Sequence, residues 1–365
     1  MSPERSPSRV VQMNTGTYNA VGSDAWSARV ARLQLGQPHC RRNIVLEVCF
    51  DMSSMRAVAT TLSVLGVAAG ATLAYALYVE PRRFSLRPLT LCLPRLPEAL
   101  GGLTVLHVSD LHLHAGEREK IAMLHRLSQV EADLVMLTGD FTDEDEDIEL
   151  CLASLRGLRG RYGTFAVLGN HDLARYRGSR WRVWEEAKDN YIVRPGLSHL
   201  VERLRESGID LLRNESKCIH VHGLPLWVVG VDDPHQEWDD LARAWAGVPA
   251  GATTILLAHS PEILARLDGS RPDLMLSGHT HGGQVVLPLV GALVTRSAIP
   301  LEKPSGVFTR EGTIVHISPG LGGSIRLRFN RPPEAELLTL LPGSTGRMKS
   351  VTEAPERQIS STIAR

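Results

Sequence analysis

The sequence predicts an α/β protein: a four-layer αββα sandwich of two mixed β-sheets flanked by helices, preceded by one N-terminal transmembrane helix. Residues 103–168 alternate strand-like and helix-like segments, which indicates parallel strands joined by right-handed crossovers. Beyond Gly208 the pattern changes to a series of short apolar strands with helical stretches between some of them, which predicts the second sheet. An uncharged run at 57–79 predicts the transmembrane helix.

The uncharged run AVATTLSVLGVAAGATLAYALYV is long enough to cross a bilayer as a helix. Tyr75 and Tyr78 lie toward one end, where aromatic side chains favour the membrane interface. The core of a signal peptide and a buried helix of a soluble domain are the alternatives. Arginines flank both ends of the run: Arg56, Arg82, Arg83 and Arg87. The sequence therefore predicts a single-pass membrane anchor but leaves open on which side of the membrane the rest of the chain lies.

The rest of the chain divides by composition. Residues 1–51 are polar and rich in Ser and Arg, which predicts a disordered segment, or an extension upstream of a true translation start at Met52 or Met55. A Pro/Leu-rich stretch at 80–101 is expected to be a linker, and residues 102–342 are expected to form the folded domain. Residues 343–365 are expected to be a disordered tail.

Charge and cysteine usage exclude some classes of protein. The 40 basic and 40 acidic residues balance, so bulk electrostatics gives no reason to expect nucleic acid as a partner. The five cysteines are scattered without a C-x-x-C pair, so neither a disulfide framework nor a zinc–thiolate site is indicated. Nothing in the composition indicates an oligomeric state.

Each element of the first half has its own signal. The apolar runs LTVLHV (103–108) and DLVMLTGD (133–140) are typical of buried strands, and a third covers 165–168. Residues 117–130 have apolar side chains at helical spacing. The acid-rich run TDEDEDIELCLASLRGL (142–158) is expected to begin a helix rather than to bind metal, because acids favour the first helical turn.

Five predicted strands are followed by side chains that can bind metal ions. In open α/β sheets the carboxyl ends of the strands face a common crevice, so these side chains are expected to meet there. They are Asp110, His112, Asp140, Asn170, His171, Asp172, His259, His279 and His281. Five such endings are hard to explain as independent turn residues.

The residue types indicate the kind of ion. Carboxylate, carboxamide and imidazole together suit divalent ions such as Mn, Fe or Zn, whereas Mg and Ca sites use mainly oxygen ligands. In the D-x-H and H-x-H patterns, residues i and i+2 point the same way if the strand persists. The glycines before Asp140, Asn170 and His279 allow tight turns and close approach of the backbone.

With these motifs the chain resembles the calcineurin-like metallophosphoesterases, in particular a bacterial branch that is often membrane-anchored or exported. The resemblance covers roughly residues 103–341. It depends on S-D-L-H (109–112), G-D-F-T-D (139–143), G-N-H-D (169–172), A-H-S (258–260) and G-H-T-H (278–281), with G-H-T-H extended to G-H-T-H-G-G-Q.

The resemblance implies a centre of two divalent metal ions, with every ligand position of the family pattern present. Asp110, His112 and His281 are expected to hold one ion, and Asp140 to bridge both. The ligands expected for the other ion are Asn170, His259 and His279. His171 is expected to face the substrate phosphate, Asp172 to orient His171, and Asp143 to support the site through hydrogen bonds.

The function expected from this resemblance is a metal-dependent phosphoric ester hydrolase that cleaves phosphodiesters or phosphomonoesters with a metal-activated hydroxide. Lipid-linked or nucleotide-sugar phosphates suit a membrane anchor. The alternatives are a nuclease of the same fold, against which the neutral charge weighs, and a membrane-tethered binding protein without activity. Walker A and Gly-x-Ser-x-Gly motifs are absent.

Several other polar residues are assigned ordinary structural roles. The histidines at 107, 220, 222 and 316 lie in strand-like segments and are expected to be packed or hydrogen-bonded. Asp232 and Asp233 precede Pro234 and are expected to be turn residues, with a role near the substrate as the alternative. The basic and aromatic segment 174–196 is either an ordinary surface insertion or an overhang that meets a phosphate or a lipid headgroup.

Overall fold

A computed structural model describes residues 14–16, 30–32, 52–176, 191–267, 269, 271–295, 297 and 303–343. Apart from two short strands and Gly343, the predicted N-terminal extension and C-terminal tail lie outside the described residues, as do positions 177–190 of the basic and aromatic segment. The chain divides into two units, residues 1–70 and 71–365. In the first unit, β1 (Asn14–Gly16) pairs antiparallel with β2 (Val30–Arg32).

The predicted apolar helix is confirmed as a helix. α1 (Met52–Ala74) continues through a π-helical turn, Tyr75–Val79, and a 3₁₀ turn, Glu80–Arg82. Pro81 has no N–H to donate and lies at the start of the 3₁₀ turn, where such a donor is not needed. By length and composition, Met55–Arg82 can cross a membrane.

The first of two six-stranded sheets contains the strands predicted from the first half of the domain. Its order is β3-β18-β4-β5-β6-β9, and β18 and β4 form its antiparallel pair. The bounds are β3 (Ser85–Leu93), β4 (Leu103–Val108), β5 (Leu134–Leu137), β6 (Thr164–Ala166), β9 (Asp210–Leu211) and β18 (Glu334–Pro342). Helices α2 (Arg118–Leu127), α3 (Ile148–Leu155) and α5 (Leu197–Glu206) connect or follow the parallel strands.

The predicted linker is wrong at its centre, because Ser85–Leu93 is an edge strand of this sheet. It pairs in parallel with β18, and Leu89, Leu91 and Leu93 alternate into the core. Pro88 is tolerated because an edge strand does not need every N–H for a neighbour. The folded domain therefore begins well before the predicted boundary at residue 102.

The second sheet is mixed, as predicted, with the order β10-β11-β12-β13-β17-β16. Its four central strands are parallel, and the two edge strands are antiparallel to them. The bounds are β10 (Glu215–Val221), β11 (Leu224–Gly230), β12 (Thr254–Leu257), β13 (Leu274–Ser277), β16 (Gly306–Arg310) and β17 (Thr313–Ile317). Short elements complete the described fold: α4 (Asn170–Leu173), α6 (Leu241–Ala244), the pair β7 (Ala174–Tyr176) and β8 (Tyr191–Val193), and the pair β14 (Val286–Leu287) and β15 (Gly291–Ala292).

The layers follow from side-chain alternation along the strands. Val105 and Met136 pack between the two sheets, against residues of the second sheet such as Val228. Their neighbour Leu106 points outward and packs under α2 and α3. Val229 likewise packs on the opposite outer face with Ala244 of α6. The predicted arrangement of helices, sheet, sheet and helices is confirmed.

Candidate metal centre

The loops after five strands meet at one edge of the sandwich. The loops follow β4, β5, β6, β12 and β13, and they carry all seven predicted metal ligands. Each of these side chains is at most 4% exposed: Asp110, His112, Asp140, Asn170, His259, His279 and His281. These side chains therefore lie together, as expected, because the carboxyl ends of neighbouring parallel strands share one edge.

The first cluster lies around Asp110. Its Oδ1 is 3.7 Å from His281 Nδ1. The His112 ring lies beside the His281 ring, with 5.2 Å between their centroids. One nitrogen or oxygen from each of these three side chains lies close enough to the others to share an ion.

The second cluster is tighter. Asn170 Oδ1 lies 3.2 Å from His259 Nε2 and 3.1 Å from His279 Nδ1, and these two ring nitrogens are 3.3 Å apart. Asp140 stands between the clusters, with Oδ2 3.2 Å from His112 Nε2 and 3.3 Å from His259 Nε2. One carboxylate oxygen thus faces an imidazole of each cluster.

The spacings of the second cluster and of Asp140 fit a divalent metal ion, whereas the 3.7 Å between Asp110 and His281 in the first cluster is slightly wider. Two ligand atoms about 2.1 Å from one ion lie roughly 3.0–3.4 Å apart at tetrahedral or octahedral angles. His112 Nε2 is buried and makes no hydrogen bond within the described part of the chain, although Asp140 Oδ2 is near. Nitrogen and oxygen donors together suit transition ions and zinc. The chemistry of the donor set and its spacing therefore agree with a metal centre.

The backbone of the ligand loops is strained in a way that aims the side chains. Five of the seven predicted ligands have positive φ angles, which L-residues rarely adopt and which cluster at functional sites. They are Asp110 (52°), His112 (40°), Asp140 (54°), His279 (68°) and His281 (49°). Since successive residues leave the strand geometry here, the loops, and not persisting strands, bring i and i+2 to the same side.

The glycines next to the ligands permit the close approach expected of them. A Cβ on Gly278 would lie 1.9 Å from Ser109 Oγ and 2.2 Å from Asp110 Oδ2. A Cβ on Gly169 would lie 2.2 Å from Asp140 Oδ1. Any side chain at these positions would displace a ligand carboxylate.

Hydrogen bonds from the outer nitrogens orient the imidazoles. His112 Nδ1 donates to Asp143 Oδ1 at 2.7 Å, and His259 Nδ1 donates to the Thr138 carbonyl at 2.6 Å. Each bond leaves Nε2 facing Asp140, as metal-binding histidines require. Asp143 therefore has the supporting position predicted for it.

The protein alone holds protons where an ion would bind. Burial opposes charge on His112, but Asp143 and Asp140 raise its pKa to about 10. Burial likewise opposes charge on Asp140, yet His259, His171 and His112 hold its pKa well below its ordinary value. The pKa of His259 is raised against burial, chiefly by Asp140. A divalent cation would take the place of these protons.

The predicted role of Asp172 needs correction. Its carboxylate accepts backbone N–H bonds from Asp140 (2.7 Å), Gly169 (2.9 Å) and Phe141 (2.9 Å). In the short helix α4 this side chain turns back onto the ligand loop after β5. The carboxylate that orients the His171 ring is Asp143, whose Oδ1 is 3.0 Å from His171 Nδ1.

His171 has a more accessible side chain than any of the seven predicted metal ligands. It is 19% exposed, and its ring lies 4.8 Å from that of His112, centroid to centroid. It therefore lies at the open side of the centre, where the resemblance places the substrate phosphate.

Sequence reasoning missed two buried cations that hold the ligand loops. Lys120 Nζ donates to the carbonyl of Leu111 at 2.6 Å and pairs with Glu117. The Arg194 guanidinium binds Asp145 Oδ1 at 2.6 Å and donates to the carbonyl of His171 at 3.3 Å. Both resemble ordinary surface residues in the sequence, since nothing in their local pattern shows burial.

A third missed residue follows a strand end. The ring of His235 lies 4.8 Å from the ring of His279, and its Nδ1 is 3.1 Å from Glu262 Oε1. The ligands were identified as polar side chains that follow strands. The same pattern could have identified His235, which follows the end of β11 by five positions.

For the residues assigned ordinary structural roles, the described contacts are of that kind. His107 Nδ1 lies 3.0 Å from His316 Nδ1, and His107 Nε2 lies 2.9 Å from Thr138 Oγ1. Burial lowers the pKa of His107 well below the ordinary value and that of His316 to about 3, so both are neutral. Asp232 forms an ion pair with Arg213.

The fold and this site define a metal-dependent phosphoester hydrolase. Residues 103–283 match the family model described as calcineurin-like phosphoesterase, and this domain belongs to that family. The resemblance seen in the sequence is thereby confirmed, and the alternative of a binding protein without activity is set aside.

Three relatives match 78%, 64% and 62% of the chain. UDP-2,3-diacylglucosamine pyrophosphatase LpxG of Chlamydia trachomatis is 27% identical, over 78% of this chain and 97% of that protein. The uncharacterized metallophosphoesterase YkoQ of Bacillus subtilis is 28% identical, over 64% of this chain and 81% of that protein. A transmembrane protein with metallophosphoesterase domain of Bos taurus is 30% identical, over 62% of this chain and 50% of that protein.

Proposed function

We propose that this protein is a membrane-anchored phosphoesterase with a dinuclear metal centre that acts on a lipid-linked or nucleotide-sugar phosphate. The observation that supports two ions is the position of Asp140. Its Oδ2 faces His112 Nε2 and His259 Nε2 at nearly equal distances, so one carboxylate can serve both clusters. The ligands then divide as the resemblance implies, with Asp110, His112 and His281 on one side of Asp140, and Asn170, His259 and His279 on the other.

Two bound ions would clamp a phosphoryl group and lower the pKa of a water molecule that attacks phosphorus. The chain supplies the remaining parts. His171, whose Nδ1 is held by Asp143, points into the open side of the centre, where Nε2 of the doubly protonated ring donates a hydrogen bond to the phosphoryl or leaving oxygen. Arg194 fixes the backbone of His171, and Lys120 fixes the backbone before His112.

The relatives and the apolar helix support the proposed substrate class. A pyrophosphatase for UDP-2,3-diacylglucosamine matches 97% of its own length to this chain. Water attack on such a pyrophosphate breaks one P–O bond of the anhydride and leaves two phosphate monoesters. Because the acyl chains of such a substrate remain in the bilayer, an enzyme anchored by Met55–Arg82 meets it at the membrane surface. A nuclease is disfavoured by the balanced charge.

The test uses the full chain in detergent, stripped of metal with a chelator. Mn, Fe, Zn or Mg is added back, and turnover is measured on a chromogenic phosphodiester, a phosphomonoester and UDP-2,3-diacylglucosamine. We expect turnover to return with a transition ion, to be highest on the acylated nucleotide sugar, and to vanish in Asp140→Ala.

Asp210→Ala is the matched control, because that carboxylate pairs with Lys217 on the surface, outside the centre. Absence of turnover on all three substrates, with ions bound, would contradict the proposal. Equal turnover in Asp140→Ala would contradict the assigned centre.

A further inference from the structure

A short hairpin beside the metal centre presents apolar side chains to the outside. β14 and β15 pair across the turn PLV, and the stretch VVLPLVGALV (285–294) has no charge. At its tip Leu289 is fully exposed, at 109%, and Val290 is 70% exposed; Leu293 beyond it is 53% exposed. A contiguous apolar surface of this kind marks a site of contact with a protein or a membrane.

The backbone at the tip makes the leucine more unusual. Leu289 has a φ of 67°, in the left-handed region that costs a non-glycine residue about 1 kcal/mol. A water-exposed turn of this geometry favours Gly, Asn or Asp, all of which are polar or lack a side chain. A strained, fully exposed leucine is suited to an apolar surrounding.

Hydrogen bonds connect the hairpin to the end of the apolar helix. Val286 N donates to the Phe329 carbonyl, and Phe329 N donates to the Gln284 carbonyl, both at 2.9 Å. The neighbouring Arg328 N donates at 3.0 Å to the carbonyl of Ala76, within the last turns of that helix. The adjacent residues Arg328 and Phe329 therefore connect the helix end to the hairpin through backbone hydrogen bonds, and all of these residues belong to one compact unit.

Other exposed groups at this place suit a lipid surface. Ile325, whose carbonyl accepts from Gln284 Nε2, is 41% exposed, and Tyr78 at the helix end is 63% exposed. Arg82 donates to the Tyr78 carbonyl, and Arg83 donates to the Tyr75 hydroxyl at 2.9 Å. Apolar and aromatic side chains with arginines at their border are typical of the boundary between acyl chains and headgroups.

The same hairpin is joined directly to the metal centre. It begins five residues after the ligand His281. Its second strand packs back onto the intervening turn, where a Cβ on Gly283 would lie 2.4 Å from Ala292 Cβ. The position of the hairpin is thus coupled to the position of His281.

We propose that the hairpin Val286–Ala292, together with Ile325, enters the bilayer surface beside the end of the apolar helix. This holds the mouth of the metal centre at headgroup depth, so that a lipid-linked phosphate reaches it without leaving the membrane. The occupant is a bilayer because the uncharged hairpin is connected by backbone hydrogen bonds, through Phe329 and Arg328, to the apolar and arginine-bordered end of a helix that can itself cross a membrane. The inference rests on the proposed membrane anchor and deepens the proposed substrate class.

The first experiment measures the depth of the tip. The full chain, with its native cysteines replaced, receives one cysteine at Leu289 and a polarity-sensitive fluorophore, and is reconstituted in vesicles of phosphatidylethanolamine and phosphatidylglycerol. Lys217→Cys on the edge strand β10 is the control. We expect lipid-borne quenchers to quench the label at 289 and aqueous iodide to quench only the control.

Equal quenching of both labels by iodide would overturn the proposal. So would a label at 289 that is shielded from iodide but not quenched from the lipid, since a second copy of the chain would then cover the tip.

The second experiment separates this inference from the proposed function. Leu289→Asn with Val290→Asn removes the apolar tip, and asparagine tolerates the left-handed backbone, so the fold is retained. We expect turnover of a soluble chromogenic phosphodiester to stay within about twofold and turnover of vesicle-embedded UDP-2,3-diacylglucosamine to fall about tenfold or more.

Leu341→Asn is the matched control. Leu341 pairs with Cys92 of β3. Cys92 lies seven residues along the strand from Ser85, where β3 begins, and at the rise of a strand this separates the two residues by roughly 23 Å. Unchanged turnover of the embedded substrate in the hairpin variant would overturn the proposal. If the unaltered chain turns over neither substrate, the proposed function fails, while the quenching measurement still decides the position of the hairpin.

Discussion

Replacing Asp140 by Asn tests the bridging role most directly. Asparagine keeps the shape of the side chain and an oxygen that can accept from His171 N, which donates to Asp140 Oδ1 at 2.9 Å. It replaces the shared anionic oxygen, which faces His112 and His259, by a neutral group. The fold should survive, so that the effect falls on the ions.

The size of the effect follows from the distances. Both imidazole nitrogens are within 3.3 Å of Asp140 Oδ2, so an ion on either ring lies close to this charge. One unit charge pair at 4 Å is worth about 4 kcal/mol at an effective dielectric constant of about 20. Losing that much from each ion weakens metal binding by about 10³-fold. We therefore expect Asp140→Asn to lose at least one ion and nearly all turnover.

The assay is the metal content of the desalted full chain, together with titration calorimetry of the metal-free protein. Asp143→Asn is the matched control, because it also removes a carboxylate but one that hydrogen-bonds to the outer nitrogen of His112. Such outer partners are worth about 10–100-fold in affinity. Two ions bound by Asp140→Asn with unchanged affinity would refute the bridging role.

Four further predictions use other parts of the site. His171→Ala should keep its metal content and lose about 10²–10⁴-fold in turnover, and unchanged turnover would remove this side chain from the mechanism. Lys120→Met should lower stability by about 1–3 kcal/mol in chemical denaturation, because buried carbonyls lose a charged donor, and an unaltered midpoint would contradict the anchoring role. Gly278→Ala should lower both metal content and melting temperature, since its Cβ would overlap Ser109 and Asp110; a fully loaded variant would contradict the close packing. The pKa of His112 is raised from 6.5 to about 10, so its charged pairing stabilises the metal-free protein fully below about pH 6.5 and is lost as the pH rises toward 10. The melting temperature in chelator should therefore fall as the pH rises across that range, and it should fall less with metal bound. A melting temperature in chelator that does not change with pH would contradict the pairing.

The ligand set could be found in the sequence because it repeats one local pattern. Apolar strands that end in Asp, Asn or His predict a shared edge without any knowledge of the pairing. The helix at 57–79 was also visible locally, since length and absence of charge decide it. The same reasoning failed for β3, whose partner β18 lies more than 240 residues away and whose prolines and leucines are typical of a linker.

Roles that depend on direction could not be found in this way. Asp172 and Asp143 are both acids near ligands in the sequence, yet Asp172 turns back to three backbone N–H groups and Asp143 reaches both His112 and His171. A single torsion decides between such partners, and sequence spacing does not record torsions.

The layers of the sandwich, the apolar helix, the family and the side chains that meet at the candidate centre could all be predicted from the sequence. These depend on periodicity and on residue type, which are local properties. The tertiary structure alone decided which carboxylate orients His171, that buried Lys120 and Arg194 brace the ligand loops, and that an apolar hairpin lies beside the helix end. Those features depend on burial and on contacts between distant segments, whose energies arise only when the chain is folded.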